Sequence, residues 1–197
     1  RKIIRGSQKV VPRMIAQLVT LSLVISVIIS MAAAKSFGGI AAEIRGAEGI
    51  MSKKAHGTCA SPPMPNLRWN CDLKTADNIC CFNRHYAERS GYWELTSFLK
   101  EETAECGEIT FYDTVTGKPL FVAPRGRSWE EFVAESKDHG WPSFRDSEVV
   151  VENVRVLDDG EAVSVDGTHL GHNIPDRTGN RYCINLVSVA GMAAAKL

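Results

Sequence analysis

Arg181-Tyr182-Cys183-Ile184-Asn185, near the C-terminal end of the chain, decides how the rest is read. Successive strand residues face opposite sides. Tyr182, Ile184 and Leu186 therefore share one face, and Arg181, Cys183 and Asn185 the other, along a strand expected from Arg181 to Val189. The first set suits a core. The second places a thiol between a guanidinium and an amide, and a neighbouring cation favours the thiolate, the reactive form of cysteine. On this strand alone, an inert buried cysteine is the better fit.

Two upstream segments change that balance. Gly167-Thr168-His169-Leu170-Gly171-His172 holds two imidazoles three residues apart in a turn framed by glycines, with Pro175 and Asp176 following. Such a pair can bind metal, transfer protons or simply occupy a turn. Gly140-Trp141-Pro142-Ser143-Phe144 puts an indole on a rigid turn, although a single Trp most often belongs to a core.

Local signals surround these segments. Ile109 to Val115 is rich in β-branched and aromatic residues, Thr116-Gly117-Lys118 reads as a turn, and Pro119 to Ala123 as a second strand. Ser128-Trp129-Glu130-Glu131 fits a capping box, with a helix running to about Asp138 and a stop at Gly140. Asp158-Asp159-Gly160 is a hairpin signal between strands at Glu148 to Leu157 and Glu161 to Val165. Thr75 to Glu88 and Trp93 to about Ala104 suit short helices. Residues 58 to 74, with Pro62, Pro63 and Pro65, should be irregular, and 35 to 57 read as a linker or short helix.

Met14 to Ala34 contains no charged residue and follows Arg1, Lys2, Arg5, Lys9 and Arg13. An apolar helix of about 20 residues crosses a bilayer, so a transmembrane helix over 14 to 34 with a basic flank over 1 to 13 is expected. The positive-inside rule keeps the N-terminus on the cytoplasmic, stromal or matrix side. The following domain then lies on the non-cytoplasmic side, in an organelle or endomembrane lumen or outside the cell. The alternatives are a cleavable signal peptide ending in Ala32-Ala33-Ala34 and a buried helix. The first residue is Arg1 and not Met, which points to an upstream targeting segment. Five of the six cysteines, Cys59, Cys71, Cys80, Cys81 and Cys106, lie upstream of Cys183 in a short span. That density suggests an oxidising compartment and one or two disulfides. No Cys-x-x-Cys pair exists, so a zinc ribbon is not supported. With 23 basic and 23 acidic side chains, nothing favours a nucleic-acid partner.

Taken together, Gly140-Trp141-Pro142-Ser143-Phe144, Thr168-His169-Leu170-Gly171-His172 and Arg181-Tyr182-Cys183-Ile184-Asn185 resemble the methionine-R-sulfoxide reductases in order and approximate spacing. Gly117-Lys118-Pro119-Leu120-Phe121 is similar to that family's Gly-x-Pro-Leu-Phe segment, and Ser90-Gly91-Tyr92-Trp93 is faintly similar to one near its start. The resemblance covers residues 108 to 190. It implies a mainly β fold, a tent of two packed antiparallel sheets with short helices, preceded by a linker and Cys-rich region over 35 to 107 and followed by a tail over 191 to 197. It implies Cys183 as the nucleophile that attacks the sulfoxide sulfur and is left as a sulfenic acid. His169 and His172 would bind and protonate the oxygen. Asn185 and Arg181 would be polar neighbours of the thiol, and Asp176 a carboxylate that orients them. Trp141, with Phe144, would form an aromatic wall for the substrate's methyl group. The implied activity is that of a membrane-anchored peptide-methionine (R)-S-oxide reductase acting on oxidised methionine in proteins.

The chain departs from the family twice. Many members hold zinc with two Cys-x-x-Cys pairs, but Asp113, Thr116, Val163 and Asp166 stand at those positions here. No zinc is expected, and hydrogen bonds from Asp113 or Asp166 would take its place. The usual resolving cysteine is replaced by His139. Cys106 or an external thiol carrier such as thioredoxin would then reduce the sulfenic acid. One alternative is a non-catalytic subunit of a membrane complex that keeps the fold, its pocket filled by residues 58 to 106 or by a partner. Another is a thiol redox sensor that pairs Cys183 with Cys106.

Overall fold

Ile109–Tyr112 (β1) and Pro119–Ala123 (β2) form an antiparallel hairpin, as their β-branched and aromatic residues lead one to expect. The other strands are Ser143–Phe144 (β3), Val154–Val156 (β4), Glu161–Ser164 (β5), His169–Asn173 (β6) and Tyr182–Ile184 (β7). They build one antiparallel sheet in the order β3-β7-β6-β5-β4. The computed structural model describes residues 42–194. The apolar segment 14 to 34 and its basic flank therefore lie outside the described residues. Among the described residues, no helix is long and apolar enough to cross a membrane.

The two sheets share one core. Phe111, Leu120 and Phe121 from the hairpin meet Phe144, Leu170, Tyr182 and Ile184 from the larger sheet, all fully buried. Phe121 stacks on Phe144 with ring centroids 4.3 Å apart. The helix Trp129–His139 closes one side. Its capping box is the expected one: Glu131 N–H donates to Ser128 Oγ at 3.2 Å and Ser128 N–H donates to Glu131 Oε2 at 2.7 Å. Gly140 ends it in the left-handed region at φ 87°, where glycine is favoured. Buried Ser136 docks the helix on the sheet by accepting the Ser143 N–H at 3.1 Å.

Two strands are shorter than their sequences suggest. The strand expected at 148 to 157 is confined to Val154–Val156, because Asp146–Glu148 forms a 3-10 turn. Buried Glu148 accepts hydrogen bonds there from Arg145 N–H at 2.8 Å, Arg125 N–H at 3.2 Å and Arg127 Nε at 2.9 Å. The strand expected at 181 to 189 stops at Ile184, and Leu186–Ser188 winds into another 3-10 turn. Its N-terminal amides are taken by Glu88, a residue almost a hundred positions away. The first deviation arises where Glu148 closes a local turn on the Arg145 N–H, and the second where a distant carboxylate takes backbone donors from strand pairing.

Residues 42 to 107 are not a linker beside the sheets. Ile44, Trp69, Ile79, Trp93 and Phe98 belong to the same core as the strands. Trp69 contacts Phe98 and Phe111 at centroid distances of 4.9 and 5.5 Å. Leu73–Asp77 is α-helical and continues as a π turn over Asn78–Phe82, after which the chain extends, so the helix expected to reach Glu88 stops at Phe82. Tyr92–Leu95 and Phe98–Glu101 are single helical turns. Cys59 and Cys81 form a disulfide, whereas Cys71, Cys80, Cys106 and Cys183 are free. A cross-link between cysteines 22 residues apart removes unfolded-state freedom worth about 3 kcal/mol.

The turn of the β1–β2 hairpin is pinned to the β5–β6 turn by polar contacts. Asp113 is fully buried and accepts from Val115 N–H at 2.8 Å, Thr116 N–H at 3.3 Å and the Thr168 hydroxyl at 3.0 Å. Lys118 Nζ lies 2.9 Å from Asp166 Oδ2 across the same gap. Replacing Asp113 with Ala leaves buried donors unpaired, at about 1–3 kcal/mol each. Asp113→Ala should therefore lower the unfolding free energy by about 3 kcal/mol in urea titrations. A loss below about 1 kcal/mol would show that these contacts do not join the two turns.

Candidate active site

The two imidazoles reach one cleft through an irregularity in the sheet. On a regular strand, residues three apart face opposite sides. On β6, Glu161 pairs with His172, Ala162 with Gly171, and Val163 with His169, so Leu170 is an extra residue opposite no partner. This bulge turns His169 and His172 to the same side while Leu170 stays in the core. The two rings lie 5.7 Å apart between centroids. The expected turn is thus a bulged strand. Gly171 is required there: it sits at φ +153°, and a Cβ would meet the Cys183 carbonyl oxygen at 2.1 Å.

Register completes the arrangement. His172 pairs with Cys183 on β7, and Cys183 pairs with Ser143 on β3. Glu161, His172, Cys183 and Ser143 form a row across four strands, each side chain about 5 Å from the next at Cβ. A cleft of about 170 Å³ opens beside this row, lined by Cys183, His169, His172, Asn185 and Trp141 together with His85, Tyr86 and Ala87. Residues 85 to 87 come from the upstream region and supply one wall, without filling the space.

His169 is 1 % exposed and its Nδ1 lies 2.6 Å from Glu161 Oε1. Burial pushes Glu161 up, but hydrogen bonds from His169 and Arg84 outweigh it and hold the carboxyl below its usual range. The ionised carboxylate accepts, so Nδ1 carries the proton and Nε2 is the nitrogen outside that bond. Nε2 is buried without a hydrogen-bond partner in the protein. Arg84 Nε donates to Glu161 Oε2 at 3.0 Å and fixes the carboxylate. His172 is held below the usual histidine value by burial and then by the neighbouring His169 ring.

Cys183 is partly exposed. Burial pushes its thiol above the usual value, and the charge of Arg181 pulls back without overcoming this. The guanidinium that the strand pattern places beside the thiol is present, but desolvation outweighs it. Arg181 is itself 6 % exposed, with Nε 3.6 Å from Asp176 Oδ2. Asp176 is held by Arg145, whose Nη2 lies 2.7 Å from Oδ2, and this pair keeps the carboxyl far below its ordinary range. Asp176 thus acts on the thiol only through Arg181. Asn185 is buried, with Nδ2 donating to Leu170 O at 3.1 Å.

Two expected site residues lie elsewhere. Phe144 is fully buried against Phe121 and Phe111, so it belongs to the core and does not line the cleft. Cys106 is exposed in a different cleft lined by Arg68, Glu102 and Glu108, which shares no lining residue with the Cys183 cleft. Sequence reasoning missed Arg84, Glu161, Glu88 and the wall residues 85 to 87. Glu161 carried a signal, as a lone acid opening an otherwise small and apolar strand. Arg84 and Glu88 carried none, since only the tertiary fold brings them to the cleft.

Asp113 and Asp166, which stand where the resembled family holds zinc, are bonded to protein groups. Thr168 and two backbone N–H groups occupy the Asp113 carboxylate, Lys118 pairs with Asp166, and Val163 has no donor atom. Two other clusters of ligand-type side chains exist among the described residues, His56-Asp77-Cys81 and Glu135-His139-Asp176. Cys81 is spent in the disulfide, and Arg145 engages both Glu135 and Asp176.

No protein-family model matches the chain. Searches of curated proteins and of solved structures likewise return no match.

Because burial outweighs Arg181, alkylation of Cys183 by iodoacetamide should rise with pH at a midpoint above that of an exposed thiol, and Arg181→Met should move it higher still. Mass spectrometry of the Cys183 peptide reads both. A midpoint unmoved or lowered by Arg181→Met would remove the guanidinium from the thiol's environment.

Proposed function

We propose that the chain is a methionine-R-sulfoxide reductase acting on oxidised methionine in polypeptides, with Cys183 as the nucleophile. The observation that carries this reading is convergence. Cys183, His169, His172, Asn185 and Trp141 come from three separate segments and line one cleft. The same segments carry the resemblance to that family.

The chemistry follows from the groups present. The Cys183 sulfur attacks the sulfoxide sulfur while an imidazole delivers a proton to the sulfoxide oxygen, a poor leaving group until protonated. The oxygen passes to Cys183, so thiol and sulfoxide become sulfenic acid and thioether. The cysteine sulfur loses the two electrons that the methionine sulfur gains. His169, oriented through Nδ1 by Glu161, presents an unprotonated Nε2 that takes the Cys183 thiol proton and passes it to the sulfoxide oxygen. The Trp141 indole, fixed by its N–H on the Glu88 carbonyl at 3.0 Å, offers an apolar face to the methyl group. Two equivalents of an external thiol, of the thioredoxin kind, then return the sulfenic acid to thiol and release water. Cys106, in its separate cleft, is not placed for that step. No step uses a metal.

The site belongs in an oxidising compartment, on the far side of a membrane anchored by residues 14 to 34. The apolar run with its basic flank supports the anchor, and the Cys59–Cys81 disulfide supports the compartment.

With dithiothreitol as reductant, the protein should reduce the R epimer of a methionine-sulfoxide peptide and leave the S epimer. Cys183→Ser should abolish turnover, and His169→Ala should lower kcat by about 10²-fold or more. An untouched R epimer, or a Cys183→Ser variant as fast as wild type, rejects the proposal. It would leave a non-catalytic chain with a reductase-like cleft, such as a subunit of a larger membrane assembly.

A further inference from the structure

Glu88 is 2 % exposed, yet it stands where three parts of the cleft meet. Its carboxylate accepts Leu186 N–H at 2.8 Å and Val187 N–H at 3.1 Å, capping the turn that follows β7. Its own N–H donates to Asn185 Oδ1 at 2.9 Å. Its carbonyl accepts the Trp141 indole N–H at 3.0 Å. The wall residues 85 to 87 run directly into it. At the other end of that wall Arg84 is clamped to Glu161, the partner of His169. The wall is thus tied at both ends to groups that orient the site.

We propose that Glu88 is a positioning residue of this site: it fixes the wall, Trp141 and Asn185 in one arrangement around Cys183. A purely structural cap for the Leu186–Ser188 turn needs only the two carboxylate bonds. Glu88 adds bonds to two lining residues through its main chain. Burial pushes the carboxyl up to about 7 against the pull of the Leu186 and Val187 amides. It therefore ionises near neutrality, without a cationic partner among the described residues. The titratable groups that feel its charge are Cys183, Cys71, Cys80 and Tyr92. For each of them the Glu88 charge works against ionisation.

The proposal rests on reading Cys183 as the nucleophile of the cleft, and its test reads the thiol directly, independent of sulfoxide turnover. In the full chain, Cys183 alkylation by iodoacetamide is followed against pH by mass spectrometry for wild type, Glu88→Gln and Glu88→Asp, with the Trp141 indole resonance recorded by NMR. Glu88→Gln should lower the Cys183 midpoint and shift the indole resonance. Glu88→Asp, which keeps the charge, should keep the midpoint closer to wild type. A folded Glu88→Gln variant with both readouts unchanged overturns the proposal. If Glu88→Gln does not fold, Glu88→Asp decides: its shorter side chain should shift the Trp141 indole resonance, and an unshifted resonance overturns the proposal. Because alkylation needs no sulfoxide, a chain inactive on either epimer can still pass or fail this test.

Discussion

The bulged pairing of β5 with β6 is the constraint on which the site depends. One unpaired residue, Leu170, sets both His169 and His172 on the cleft side. Without it, a His-x-x-His spacing on a strand would send one imidazole into the core. Gly171 makes the bulge possible, since any larger residue would collide with the Cys183 carbonyl. The bulge also brings His169 Nδ1 onto Glu161, so one backbone irregularity sets the direction of the ring as well as its location. The thiol enters through register alone, opposite His172.

Around that centre, ion pairs and hydrogen bonds hold neighbouring turns together. Asp113–Thr168 and Lys118–Asp166 join the hairpin turn to the β5–β6 turn. A buried carboxylate with several donors is costly to desolvate but hard to rearrange once satisfied. It therefore gives the bulged strand a fixed starting point. Upstream, the Cys59–Cys81 link and the Trp69-Phe98-Phe111 aromatic contacts hold residues 56 to 101 against the sheets. From that base the segment 83 to 88 extends across the cleft.

What the sequence made legible was local. The β1–β2 hairpin, the Ser128 capping box, the Gly140 stop and the Asp158-Asp159-Gly160 turn all depend on residues close in the chain, and they occur where their chemistry places them. The alternation of Tyr182, Cys183 and Ile184 likewise predicts the facing of the thiol. Strand ends were not legible, because Glu88 takes the amides after β7 from a distance, and Glu148 is held by Arg125 and Arg127, which follow β2 in the sequence. The proton affinity of Cys183 was not legible either. Arg181 is its near neighbour in sequence, but burial by the surrounding fold is the larger effect. The role of residues 42 to 107 was hidden too. Their buried aromatics show no periodicity that reveals which sheet they cover.

The central claim is that Cys183 takes the oxygen of a methionine-R-sulfoxide. Single-turnover chemistry without added reductant tests it most directly. Mixing the protein with the R epimer should release one equivalent of methionine per chain. A sulfenic-acid probe should then mark Cys183 and no other cysteine, including exposed Cys106. No methionine release, or a sulfenic acid formed elsewhere while Cys183 stays a thiol, would contradict the account.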